Sequence, residues 1–117
     1  MSKYIKKSEI ALAATFGIPS PADMKVKLAN DWAWAQRGLL AVYAKQRSDE
    51  QSSRRTKHLN YFGFSKFDAE FLTSLAQNLK KKGSLSDKQM HWVFKKMPKY
   101  ASQLFLISLE NKQGDNV

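Results

Sequence analysis

The chain has 117 residues, with 20 Lys plus Arg against 10 Asp plus Glu, a formal net charge of +10, and no cysteine. This length suffices for one hydrophobic core and is too short for two ordinary domains. The lack of cysteine excludes disulfides, thiolate metal ligands and a cysteine nucleophile. The excess positive charge favours an anionic partner, and nucleic acid is the commonest one because neutralising its phosphates releases counterions.

The N-terminal segment MSKYIKKSEIALAATFG places lysines before a short apolar patch, as signal peptides do. However, Glu9 interrupts the patch, and no small-residue cleavage site follows it before Pro19. No apolar run in the chain approaches the roughly 18 residues of a membrane span. We therefore expect this segment to be a mature amphipathic helix, and the protein to be cytoplasmic and not associated with a membrane.

The spacing of apolar residues predicts an all-α fold, a single compact domain of four to five helices with a long central helix. The domain is predicted to span residues 1–110, and the polar residues 111–117 to form a disordered tail. The first helix is predicted over 2–16. Pro19 and Pro21 then form a turn, and because they stand at the entry of a would-be recognition helix, they disfavour a helix-turn-helix motif.

The central helix is predicted over residues 22–50. Trp34, Leu40 and Ala41 lie off its main apolar stripe, which predicts that other helices cover it on more than one side. Gly38 in its middle indicates a close helix crossing, since glycine destabilises a helix interior and allows another backbone to approach. The main stripe consists of Leu28, Trp32, Ala35, Leu39, Val42, Tyr43 and Gln46.

The third helix is predicted over residues 65–82. Ser65 and Asp68 have the spacing of a capping box at its start, and Gly83 ends it after Lys80, Lys81 and Lys82. These lysines complement the negative end of the helix, so phosphate contact is a secondary role for them. The stripe predicted to be buried consists of Phe67, Phe71, Leu72, Leu75, Ala76 and Leu79.

The fourth helix is predicted over residues 86–97, with a second capping box formed by Ser86 and Gln89. Pro98 removes one backbone hydrogen bond and is expected to kink this helix or to separate it from a last segment over 99–109. The core face of the fourth helix is predicted to consist of Met90, Val93, Phe94 and Met97.

The polar face of the fourth helix is the first candidate binding surface. A tryptophan among cations on a solvated face is unusual, and it suits a site where Trp92 stacks on a base while lysines hold phosphates. Alternatively, Trp92 packs under the N-terminal helix or under the 52–64 connection, with the lysines merely solvated around it. The residues of this face are Lys88, His91, Trp92, Lys95 and Lys99.

The 52–64 connection is the second candidate surface, because bases and aromatics alternate along it as in proteins that bind single-stranded or distorted nucleic acid. We expect its aromatics Tyr61, Phe62 and Phe64 to enter the core. Its basic residues either bind nucleic acid or stay in water around the end of the central helix. The candidate contacts are Arg54, Arg55 and Lys57, followed by His58.

Catalysis and metal binding find little support in the sequence. His58 and His91, the only two histidines, lie in basic surroundings and lack the spacing of a zinc site. Asp49 and Glu50 are adjacent, so on a helix they point about 100° apart and form no acid–base pair. The five scattered glycines form no phosphate cradle. We expect no enzyme activity, no metal and no cofactor.

Residues 32–105 resemble a short helical module found in many phage and bacterial hypothetical proteins. The similarity lies in G-F-S-K-F-D-A-E-F-L-T-S-L-A, in L-S-D-K-Q and in K-K-M-P-K-Y-A-S-Q-L. The two-helix core is also distantly similar to the small accessory protein encoded beside the UvsW helicase of T-even phages. The resemblance implies a phage or mobile-element setting and a part in nucleic-acid transactions, and Pro98 departs from its pattern.

The function expected from these features is that of a small basic accessory protein that binds DNA or RNA. The alternative is a protein–protein interaction module, such as a phage adaptor or an inhibitor of a host or defence enzyme, docking Trp34 and Trp92 on its partner. A helicase or a host enzyme is then the possible protein partner. An exposed tryptophan serves both functions, so Trp92 alone does not choose between them.

Overall fold

The computed structural model describes residues 5–52 and 63–115, and this part of the chain contains helices and no strand, which confirms the all-α prediction. Most of the described core belongs to one cluster of buried apolar side chains, contributed by every helix. In chain order the elements are α1 (Lys7–Thr15), α2 (Pro21–Asn30), α3 (Trp32–Ser52), α4 (Ala69–Lys82), α5 (Asp87–Lys96), a 3-10 helix (Met97–Tyr100) and α6 (Ala101–Asp115).

The predicted 22–50 helix is two helices that meet at Asp31. This residue has extended backbone angles, φ −110° and ψ 119°, and it ends α2. Its carboxylate accepts a hydrogen bond from the backbone N–H of Trp34 at 3.1 Å, as an N-cap residue does at the start of a helix. Ser20 caps α2 in the same way through the N–H of Asp23, with Pro21 in the first turn.

Helix α3 is the long central helix, with 21 residues, and it contacts α2, α4, α5, α6 and the 3-10 helix. Its predicted stripe is buried at Ala35, Leu39, Val42 and Tyr43, whereas Trp32 is 46% exposed. The close crossing predicted at Gly38 is confirmed. A Cβ atom there would lie 2.8 Å from Leu28 Cδ2 and 3.0 Å from Leu104 Cδ1, nearer than side chains normally pack.

Helix α4 begins at Ala69, so its N-cap lies three residues after the predicted N-cap Ser65, and the Ser65–Asp68 capping box is wrong. Asp68 occupies the N-cap position, but its side chain caps no backbone N–H of the helix. The Ser65 hydroxyl reaches the Asp68 carboxylate, at 3.3 Å, and Asp68 also has partners outside the helix. The helix ends at Gly83, whose φ of 83° is left-handed, as predicted for a glycine C-cap.

The Ser86–Gln89 capping box of α5 is confirmed, since each residue's side chain bonds the other's backbone N–H, at 3.2 and 3.0 Å. The break predicted around Pro98 is also confirmed, because Pro98 lies in the 3-10 helix that separates α5 from α6. Helix α6 continues to Asp115, so helical structure extends into the residues predicted to form a disordered tail.

We predict that Gly38→Val lowers the free energy of unfolding by about 1–3 kcal/mol, because the added methyl groups overpack the crossing against Leu28 and Leu104. The control is Ala44→Val on the exposed side of the same helix, which should cost only the lower helix propensity of valine, below about 0.7 kcal/mol. Urea unfolding measures both values. Equal losses would contradict the close crossing.

Candidate nucleic-acid interface

Helix α5 presents the predicted polar face to solvent. Met90, Val93 and Met97 are buried on the opposite side, which fixes the rotation of the helix. All the predicted residues of this face are consequently exposed: Lys88, His91, Trp92, Lys95 and Lys99.

Trp92 is 39% exposed and rests against Phe71 of α4. Its ring meets Phe71 edge-to-face, with centroids 6.1 Å apart, and it meets His91 at 5.4 Å. The Lys95 ammonium lies over the ring, 5.7 Å from its centroid, in cation–π geometry. Part of the indole therefore faces solvent beside a lysine.

Phe67 and Phe71 were expected in the buried stripe of α4, and this expectation is wrong. Phe67 is 96% exposed and Phe71 40% exposed, whereas Leu72, Leu75, Ala76 and Leu79 are buried as predicted. The reason is the late start of α4. Phe67 precedes the helix and does not follow its periodicity, and Phe71 lies at the edge of the stripe, where it covers Trp92. The exposed aromatics next to α5 thus include two phenylalanines besides the predicted tryptophan.

Asp68 joins this edge of α4 to the end of α5. Among the described residues, Asp68 is the one charged residue that is buried, with 3% of its surface exposed. Its carboxylate accepts from Lys96 Nζ at 3.1 Å, from Lys99 Nζ at 2.6 Å and from the Tyr100 hydroxyl at 2.8 Å. Lys99, a predicted phosphate contact, is therefore half of an ion pair, although its side chain stays 54% exposed.

Burial alone would raise the pKa of Asp68, but the hydrogen bonds from Lys99, Tyr100 and Lys96 outweigh it and hold this pKa well below its ordinary value. The hydrogen bond to Asp68 in turn raises the pKa of Lys99. Burial is the largest cause that raises the pKa of the Tyr100 hydroxyl. At neutral pH the cluster therefore contains an ionised Asp68 carboxylate, the Lys99 ammonium and a neutral Tyr100 phenol.

Residues 63–65 are held in place by side chains from three elements. The Gln103 amide of α6 accepts from the N–H of Gly63 at 2.9 Å and donates to its carbonyl at 3.0 Å. Gln46 of α3 accepts from the N–H of Phe64 at 3.0 Å, and the Tyr100 hydroxyl accepts from the N–H of Ser65 at 2.9 Å. Phe67 is thus a fully exposed side chain that follows a fixed stretch of backbone.

Further aromatics lie on the other flank of α5, next to α3. Trp32 meets Phe94 edge-to-face, with centroids 6.0 Å apart. Trp34 packs against the core and has Lys27 and Arg37 over its ring, at 5.4 and 5.8 Å. Trp34 is therefore half-buried. Less of its ring is free to contact a protein partner than a docking role for Trp34 requires.

The basic residues predicted in the 52–64 connection lie outside the described residues: Arg54, Arg55, Lys57 and His58, together with the aromatics Tyr61 and Phe62. Phe64, at the end of this connection, is buried and meets Tyr100 edge-to-face at 5.8 Å. Its predicted core position is confirmed. At the end of α4, Lys80 lies over the Tyr43 ring at 5.7 Å.

An open, polar cleft of about 630 Å³ lies between part of α3 and part of α4. Its side chains largely bond one another, since Gln46 donates to Thr73 at 3.1 Å and Gln77 donates to Tyr43 at 3.2 Å. Glu70 also lines this cleft, on the side of α4 away from Trp92. The described residues that line this cleft include neither a cation nor an exposed aromatic ring, in contrast to the surface beside α5.

Within the described ranges, no three His, Asp or Glu side chains are grouped closely enough to hold a metal ion. No helix in this part of the chain combines the length and the apolar character needed to cross a membrane. Comparison with protein-family models, with curated proteins and with solved structures finds no match.

The Asp68 cluster predicts acid sensitivity. Because its folded-state pKa is depressed, Asp68 stabilises the protein fully above the unfolded-state pKa of about 3.9, and this contribution is lost as pH falls further toward the folded value. Asp68→Asn should cost about 1.5–3 kcal/mol at pH 7, where charge-assisted hydrogen bonds are lost, and should flatten the decline of stability below about pH 4. Urea unfolding at pH 7 and at pH 3 measures both effects.

Tyr100→Phe is the companion variant. It removes one of the donors that lower the pKa of Asp68, so the acid-induced loss of stability, which still begins near the unfolded-state pKa, should be smaller in total and should end at a higher pH than in the parent. If the parent and Asp68→Asn lose stability equally between pH 7 and pH 3, the cluster is not the source of the acid sensitivity.

Proposed function

We propose that the chain is a small, non-enzymatic, nucleic-acid-binding accessory protein that binds its ligand on the exposed face of α5. The observation that carries the proposal is the half-exposed Trp92 ring beside Lys95 and His91 on that face. A base or sugar can contact the ring while the lysines neutralise phosphates on either side.

Charge supports this proposal. The formal net charge of +10 favours association with a polyanion, and Lys88 and Lys95 are exposed on the same side of α5. Lys96 and Lys99 add positive charge at the end of the helix, where Asp68 offsets part of it. The acidic residue of α5 itself is Asp87, in its first turn, where a carboxylate complements the helix dipole.

The resemblance over residues 32–105 supports a phage or mobile-element setting. Its most specific points include Gly63–Phe64, Asp68–Ala69 and the capping box of α5. These residues position α4 and α5, so the resemblance bears on the scaffold of the proposed interface. The lysines and the tryptophan of the α5 face carry the functional part of the proposal.

The second candidate function is a protein–protein interaction module. The observation in its favour is the exposure of large apolar side chains next to α5, above all Phe67 at 96%. Exposed aromatics are common binding hot spots in protein interfaces. Titration with nucleic acid discriminates between the two functions, because only the first predicts binding that weakens linearly on a log–log salt plot.

We predict that Lys95→Ala weakens binding to DNA and RNA of any sequence and lowers the slope of log Kd against log salt by about 0.7–0.9, the value of one phosphate contact. The matched control is Lys112→Ala, which removes the same charge from an exposed position on α6 and should leave the slope nearly unchanged. Fluorescence anisotropy at several salt concentrations measures both slopes.

Trp92→Ala separates stacking from charge. It should cost about 1–3 kcal/mol of binding free energy with little change in the salt slope, because stacking releases no counterions. As Trp92 is 39% exposed, the variant should lose less stability than the about 3–5 kcal/mol expected for a fully buried tryptophan. A parent protein that binds no nucleic acid even at low salt would remove the proposed function.

A further inference from the structure

The exposure of Phe67 has no explanation in the folding of this chain. An aromatic ring that is 96% in water contributes almost nothing to the core. Its backbone is nonetheless positioned. Ser65, two residues before it, is bonded by Tyr100, and Asp68, directly after it, is bonded by Lys96, Lys99 and Tyr100. A large apolar group that is exposed at a fixed place is typical of a binding site.

Two contacts align the start of α4 with α5 and place Phe67 relative to Trp92. Asp68 pairs with Lys96 of α5. Phe71, one turn after Asp68 in α4, contacts Trp92, which lies one turn before Lys96 in α5. Phe67 therefore directly precedes Asp68, the residue that joins α4 to α5, and it stands four residues before Phe71, which contacts Trp92. We name Phe67, Phe71 and Trp92 the aromatic edge. The exposed Lys66 directly precedes Phe67 in the chain, and the exposed Lys95 has its ammonium group over the Trp92 ring.

The side chains present favour stacking over the reading of base edges. Sequence-specific contacts in a duplex groove use mainly Arg or Lys for guanine and Asn or Gln for adenine, and of these residue types α5 offers free side chains only among its lysines. Helix α5 contains neither Arg nor Asn, and its single glutamine, Gln89, is engaged in the capping box. Phenylalanine forms no hydrogen bonds, so it gains from a nucleic acid chiefly by contact with a base face. In a duplex those faces are already stacked on one another, whereas a single strand exposes them.

We propose that the aromatic edge binds single-stranded nucleic acid, with unpaired bases stacked on Phe67 and on the Phe71–Trp92 pair while Lys66 and Lys95 contact phosphates. This inference rests on the proposed function and narrows it to one class of ligand. Because Phe71 and Trp92 are perpendicular, with an interplanar angle of 90°, one base stacks on only one of these two rings. The Lys95 ammonium, which lies over Trp92 in the free protein, moves to a phosphate when a base approaches that side of the ring.

The test uses ligands that share their phosphates and differ in their bases. The probes are a labelled oligothymidylate of roughly 12 nucleotides, a length within known single-strand site sizes, an abasic oligonucleotide of equal length, and a duplex. An oligouridylate distinguishes RNA from DNA. The parent should bind oligothymidylate roughly 5- to 150-fold more tightly than the abasic strand, the factor that corresponds to stacking of one base, and more tightly than the duplex.

Phe67→Ala should remove roughly 5- to 150-fold of the affinity for oligothymidylate, leave the affinity for the abasic strand unchanged and preserve the salt slope. Because Phe67 is almost fully exposed, the variant should fold like the parent, and circular dichroism checks that its helix content is unchanged. The control is Val26→Ala, an exposed apolar position on α2, at 61%, that should change no affinity.

Each remaining outcome overturns a different statement. Equal affinity for the oligothymidylate, the abasic strand and the duplex, with a steep salt slope, overturns single-strand stacking and leaves the proposed function in place. Tighter binding to the duplex than to oligothymidylate also overturns single-strand stacking and leaves the proposed function in place. A Phe67→Ala variant that binds oligothymidylate as tightly as the parent has the same consequence. If no probe binds at low salt, the proposed function fails together with this inference, and the aromatic edge belongs to a protein interface.

Discussion

The buried carboxylate of Asp68 determines how the second half of the chain is arranged. Desolvation of such a charge costs several kcal/mol, and only good geometry with several donors offsets it. Here Lys96, Lys99 and Tyr100 supply those donors from the end of α5 and from the 3-10 helix. If α5 were rotated, or α4 began one turn earlier, the charge would be left unpaired. The cluster thus favours a single arrangement of α4 against α5 more than it contributes to net stability.

Two runs of the sequence supply most of the residues of this arrangement. The G-F-S-K-F-D-A run supplies Gly63, Phe64, Ser65 and Asp68, and the K-K-M-P-K-Y-A-S-Q-L run supplies Lys96, Lys99, Tyr100 and Gln103. These residues bond one another across the fold, through the pair of Gly63–Gln103 hydrogen bonds as well as through the carboxylate. Gly63 has a φ of 125°, which other residues rarely adopt, and a Cβ atom there would lie 3.2 Å from Gln46 Cβ. The two runs thus form the two halves of one contact.

Local signals predicted most of the fold, and the Asp68 error occurs where a side chain has distant partners. Most positions of the apolar stripes, the Ser86–Gln89 box and the break at Pro98 depend on neighbouring residues and were predicted correctly. Asp31 is a local signal that was missed, since Asp before an apolar run is an ordinary N-cap. By contrast, Asp68 has capping-box spacing from Ser65, and only its distance to Lys99 in the fold reveals its role. Phe67 was misplaced for the same reason, because its exposure follows from the start of α4 at Ala69.

The lysines of α5 and of the 3-10 helix that follows it form two groups with different tasks. Lys96 and Lys99 are directed to Asp68, so a phosphate that contacts them has to compete with a buried carboxylate. Lys88 and Lys95 are exposed on the polar face, and Lys95 also lies over Trp92. Charge alone does not distinguish these lysines. The sequence therefore predicted their exposure correctly, but it did not reveal that Lys99 pairs with Asp68. Because the first group fixes α5 against α4, it also fixes the position of Trp92 against Phe71. The predicted binding surface therefore depends on lysines that we expect to make the smaller contribution to phosphate binding.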